Sequence, residues 1–97
     1  MKSPELSPQA IEKEKISELK FHDREVLPSA EHIKHRWSEL QRASKLGNIE
    51  HGKIKIIFED TGGLKQVETT IWAVTDKRII LKKGVVIPIH CIHEVKV

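Results

Sequence analysis

A single cysteine, Cys91, stands in a chain of 97 residues, so no internal disulfide can staple a fold this small. Tyrosine is absent and aromatics make up only 4%, leaving few rings to stack on the bases of single-stranded nucleic acid. No apolar run approaches the roughly 18 residues that a membrane-crossing helix needs. The opening stretch, Met1 to Pro8, lacks the apolar core of a secretory signal. Together these absences predict a soluble, cytoplasmic protein. Charge of one sign is also scarce: 17 Lys and Arg against 14 Asp and Glu give a net charge of +3, with no strongly cationic block. A dedicated nucleic-acid binder carries a denser basic stripe, so nucleic acid is not an expected partner.

What remains suffices for one small folded unit. Hydrophobic residues at 38% exceed what a disordered chain carries, although a chain this short buries only about two-thirds of its unfolded surface. Ser3-Pro4 and Ser7-Pro8 bias the start away from helix. The second step is also a helix entrance, with Ser7 as cap and Leu6 placed to staple onto Ile11. A first helix is predicted to run to about Lys20, docked loosely because Ile11, Ile16 and Leu19 make a thin stripe. Residues 1–28 are read as this Ser/Pro-containing segment, and residues 29–97 as a single compact helix-plus-sheet domain. Ser29 should cap a second helix from Ala30 to about Leu46, stopped by Gly47-Asn48. Ala30, Ile33, Trp37, Leu40 and Ala43 share one face, which predicts that Ile33, Trp37 and Leu40 pack across a sheet.

From Lys53 the period falls to two. Ile54, Ile56 and Phe58 alternate with Lys53, Lys55, Ile57 and Glu59, as in a strand with one apolar face. Asp60-Thr61-Gly62-Gly63 reads as a hairpin loop. Leu64–Thr75, Arg78–Lys82, Val85–Ile89 and a short Ile92–Val97 follow, separated by turn residues. The expectation is an α+β chain: two N-terminal helices, then an antiparallel meander of four to five strands, with the second helix on one sheet face.

The run Val74-Thr-Asp-Lys-Arg-Ile-Ile-Leu-Lys-Lys-Gly-Val85, followed by Ile87-Pro88-Ile89 and Ile92–Val95, resembles the strand-turn-strand signature of bacterial pleckstrin-homology-like domains. It covers about a quarter of the chain. That family's sheet continues into further strands and a closing C-terminal helix, whereas here the helices come first. The resemblance implies a small bacterial, non-enzymatic scaffold for lipid, peptide or self-association.

Residue constellations point the same way. His32 and His35 lie three apart on the second helix, and His90, Cys91 and His93 lie near the last turn. His90 and His93 are an odd step apart, which on a regular strand sends them to opposite faces, and zinc needs about four converging ligands. No metal and no cofactor are therefore expected. Cys91 beside an imidazole is the form of a thiol nucleophile, but strand neighbours seldom face each other and a buried structural cysteine is the plainer reading. Glu59-Asp60 flank a hairpin tip, and Gly62-Gly63 lacks the phosphate-cradling pattern. No catalytic residue is expected.

Two surfaces stand out. Lys77, Arg78, Lys82 and Lys83 flank one short strand, a basic rim for an anionic ligand such as a lipid headgroup, although lysine at strand ends more often guards against edge-to-edge pairing. Ile57, Trp72, Val74 and Val86 are assigned to a second sheet face, to be covered by the first helix or by another subunit. The expected function is a non-catalytic interaction module, binding a protein partner or itself. The alternative is anionic-ligand binding through the Lys77–Lys83 rim, with peripheral lipid contact.

Overall fold

The structure, a computed structural model, describes residues 8–50 and 53–96, with the backbone alone for 46–50. The expected Ser7 cap and Leu6 staple lie outside the described residues, as does Val97. Among the described residues seven strands form two sheets around one core. β1 (Gln9–Ala10), β2 (Ile54–Asp60), β3 (Gly63–Thr69) and β7 (Ile92–Lys96) make the first, in the order β1-β3-β2-β7. β4 (Ile71–Val74), β5 (Arg78–Leu81) and β6 (Val86–Pro88) make the second, in sequence order. α1 (Ala30–Glu50) packs against β4 and β7, the outer strands on one side of each sheet. No helix among the described residues is long and apolar enough to cross a membrane.

The α+β class stands, but the two N-terminal helices and the meander do not. Ile11, Ile16 and Leu19 are spaced by five and three residues, which drifts around a helix instead of tracking one face. Those residues pack on the core by a different route. Gln9 and Ala10 pair in parallel with Lys65 and Gln66 of β3, and a 3₁₀ helix, Lys13–Glu18, turns Ile16 fully into the core. Short helices depend on tertiary burial more than on propensity, and burial decides this one.

The expected strand Leu64–Thr75 breaks at Thr70, where the chain changes sheets. The Thr70 carbonyl accepts the Lys82 N–H at 3.0 Å, and such corners are how a strand serves two packed sheets. β7 then returns beside β2, pairing Ile56 with Val95 and Phe58 with Ile92, so the order is no meander. Glycine at position 47 lowers helix stability by about 1 kcal/mol relative to alanine without ending α1, which continues to Glu50. Ser29 is the cap the sequence suggests: its Oγ accepts from the His32 N–H at 3.4 Å and meets His32 Nδ1 at 2.6 Å.

Rotation of α1 is the correction with most bearing on function. Arg36, Leu40 and Ala43 face inward, whereas Ile33 and Trp37 stay 37% and 42% exposed. The core itself is aliphatic, with Phe58 its largest member.

Candidate functional site

A β-bulge in each sheet re-aims the residues that follow it. Along β7, Ile92 pairs with Phe58 and Glu94 with Ile57, so His93 is the extra residue. Along β4, Ile71 pairs with Leu81 and Ala73 with Ile80, so Trp72 is extra. Without these insertions strict alternation would bring His93 out but turn Glu94 inward, and the same holds for Trp72 and Ala73. Bulges of this kind re-aim side chains.

His93 joins a polar cluster. Its Nε2 lies 2.8 Å from Glu59 Oε1, while His22 Nε2 lies 3.1 Å from Glu59 Oε2. A carboxylate accepts only, so both imidazoles donate from Nε2. His90 Nε2 donates to the His22 carbonyl at 2.6 Å. The hydrogen bond from His93, opposed by partial burial and aided by His22, holds the Glu59 carboxyl below its ordinary value of 4.5. The cluster fastens residues 20–26 across the sheet, with the Lys20 carbonyl taking the Thr61 N–H and the His90 carbonyl the Val26 N–H.

A depressed carboxylate pKa stabilises the fold above the unfolded value and loses that contribution as pH falls through the folded one. Glu59→Gln should therefore cost about 0.5–1 kcal/mol at neutral pH, in line with one net hydrogen bond on a partly exposed group. The deficit should shrink below pH 4.5. Urea midpoints of both proteins across that range check it; a deficit equal at both ends would refute the assignment.

Among the described residues no group of three or more His, Cys, Asp or Glu side chains is arranged to hold a metal ion. Cys91 is fully buried, its Sγ 3.5 Å from the His22 carbonyl, and desolvation pushes its thiol up from 9.0. That is the reverse of thiolate activation.

The larger opening lies between α1 and the turn joining β4 to β5. Two adjoining hollows of about 610 and 380 Å³ share Arg36, Asp76 and Ile89 in their walls. Ile33 and Trp37 border one, and Lys77, Arg78 and Val86 border the other. Each wall is fixed. Thr75 Oγ1 accepts from the N–H groups of Lys77 and Arg78 and donates to the Arg78 carbonyl, a local turn motif that threonine forms readily. The Ile89 N–H then ties the Lys77 carbonyl to the next segment. Behind the groove, Arg36 grips Glu25 with a forked pair at 2.6 and 2.7 Å and donates to the Ile92 carbonyl at 3.0 Å. Burial raises the Glu25 carboxyl, but the Arg36 and Leu27 hydrogen bonds and the Arg36 charge outweigh it and leave the value lowered.

The residues singled out in the sequence fall in different places. Lys77 and Arg78 line the groove, and so does Val86. Lys82 and Lys83 stand at the other end of β5, in a 3₁₀ turn where Lys83 is left-handed and faces the charge of Glu14. Ile57 belongs to the other sheet, between Gln66 and Glu94. The bulge separates Trp72, half exposed, from Val74, which packs on the core. The four cations thus stand at the two ends of β5, as the sequence places them, while Ile57 is divided from Trp72, Val74 and Val86 by the change of sheet. Ile33, Trp37, Glu25 and Arg36 went unassigned as site residues; an arginine inside the apolar stripe of α1 was the available signal. The chain matches no family model, no curated protein and no solved structure.

Proposed function

We propose that this protein is a non-catalytic binding module whose protein ligand lies in the groove between α1 and the β4–β5 turn. One observation carries the reading. Of the four large hydrophobic side chains exposed among the described residues, three, Ile33, Trp37 and Val86, border these two joined hollows. Scattered exposed apolar residues need no explanation, but clustered ones around a concavity mark interaction sites. Trp37 is the expected anchor, since buried tryptophan dominates many interfaces. The fixed turn at Thr75–Arg78 and the Arg36–Glu25 strut pre-form the walls, which lowers the ordering cost of binding.

Selection of a random phage-displayed peptide library on the immobilised full chain tests this. Peptides should enrich, and Trp37→Ala should weaken the winners about tenfold or more, as hot-spot truncation does. A failure to enrich, or dependence on Trp72 instead of Trp37, would overturn it. Dependence on Trp72 would favour the outer row of the second sheet, where Ala73, Ile80 and Val86 are register partners.

A further inference from the structure

We infer that the groove selects an acidic ligand: a peptide segment of a partner protein that seats apolar side chains by Ile33, Trp37 and Val86 and sets carboxylates on Lys77 and Arg78. This rests on the groove reading above and adds the ligand's chemistry. Charge complementarity is the ground. Glu25 and Arg36 neutralise each other through their forked pair. What remains on the walls is Lys34, Lys77 and Arg78 against Asp76, and among the described residues these three cations have no ion-pair partner. An excess of two positive charges therefore borders an apolar trough.

Position matters as much as sign. Thr75 Oγ1 holds the backbone of both Lys77 and Arg78, so the two cations rise from a fixed turn and not from a free loop. Arginine adds a planar fork suited to carboxylates, and lysine a point charge. A nucleic-acid backbone fits less well. It carries a charge about every 3.4 Å per strand, and Asp76, in the wall common to both hollows, would repel it. A peptide can interleave apolar and acidic side chains and leave a gap at Asp76.

The peptides selected on the wild-type chain give the first readout: acidic residues should be enriched among them. A synthetic acidic winner, followed by fluorescence anisotropy on the full chain, should bind about tenfold more weakly to a Lys77→Glu/Arg78→Glu variant, and lose affinity with added salt, as rim charges do. Lys82→Glu/Lys83→Glu, at the far end of β5, should leave that affinity unchanged. Neutral or basic winners that still depend on Trp37 would overturn the acidic class and leave the groove standing. Equal loss in both charge-reversed variants would also overturn it, as attraction to net charge alone. Tighter, Trp37-dependent binding of a single-stranded oligonucleotide or of anionic lipid vesicles would overturn it in favour of a phosphate-bearing ligand.

Discussion

Phe58→Ala is expected to lower stability by about 3–5 kcal/mol, the usual range for a fully buried aromatic. Phe58 is completely inaccessible and is the largest side chain in the core. It pairs across the first sheet with Lys65 on β3 and Ile92 on β7, and its ring stacks obliquely on Phe21 with centroids 6.0 Å apart. Ile56, Val67 and Ile92, in the same core, sit on strands whose register fixes their backbone, which limits collapse into the space. A chain of this length has a total stability of roughly 5–15 kcal/mol. The loss is thus a large fraction of the whole, with an expected fall in Tm of about 15–30 °C. Phe21 is half-buried and packs on the core from the crossing segment, so Phe21→Ala should cost less. The double variant should cost less than the sum by about 0.5–1.5 kcal/mol, the worth of an aromatic pair. Thermal and urea denaturation of the four proteins check this. Simple additivity would mean that residues 20–26 do not lie against β2.

The strands were legible because alternation and turn residues act locally. Ile54, Ile56 and Phe58 are buried in turn along β2, as their every-other spacing requires, and the hairpin tip at Thr61–Gly62 pairs Asp60 with Gly63. What stayed hidden depended on partners distant in sequence. The break at Thr70 exists because β3 and β4 pair with different strands. The bulges at Trp72 and His93 lie in the pairings of β4 with β5 and of β7 with β2, so each is defined by a partner strand outside its own segment. The rotation of α1 is set by Glu25 and the Ile92 carbonyl, neither of which the helix sequence contains. Trp37 illustrates the cost: its place in a three-and-four stripe argues for burial, yet it stands at the groove because Arg36 takes the inward position. Of the groove, Lys77, Arg78 and Val86 could be found from local sequence, since turn and strand chemistry place them. The wall opposite belongs to a helix whose facing only the assembled fold decides.

Arg36→Met is expected to cost about 3 kcal/mol, toward the lower end for breaking a buried ion pair by removing one partner. Arg36 is 5% exposed and its guanidinium serves both Glu25 and the Ile92 carbonyl. Methionine refills most of the volume with a flexible apolar chain, so the loss comes from the two groups left behind. The Ile92 carbonyl loses a donor inside the fold, which costs about 1–3 kcal/mol for a buried polar group. Glu25 loses its counter-charge, but its side chain is 32% exposed and water takes part of the burden. Arg36 also pays a cost in the native protein: its buried Nε meets no partner among the described residues. Removing it returns some energy and argues against a larger effect. Adding Glu25→Gln to Arg36→Met should then recover roughly 1 kcal/mol, because an uncompensated carboxylate disappears. The pH dependence supplies a second check. With its folded value below 4.5, Glu25 stabilises the native protein above that pH and stops doing so as pH falls through the folded value. In Arg36→Met the Arg36 contribution to that depression is gone while burial and the Leu27 hydrogen bond remain, so this part of the acid sensitivity should shrink. Urea titrations at neutral and acid pH read both effects. A variant within about 0.5 kcal/mol of the parent, the ordinary range for surface changes, would mean that Arg36 is not the strut between α1, the crossing segment and β7.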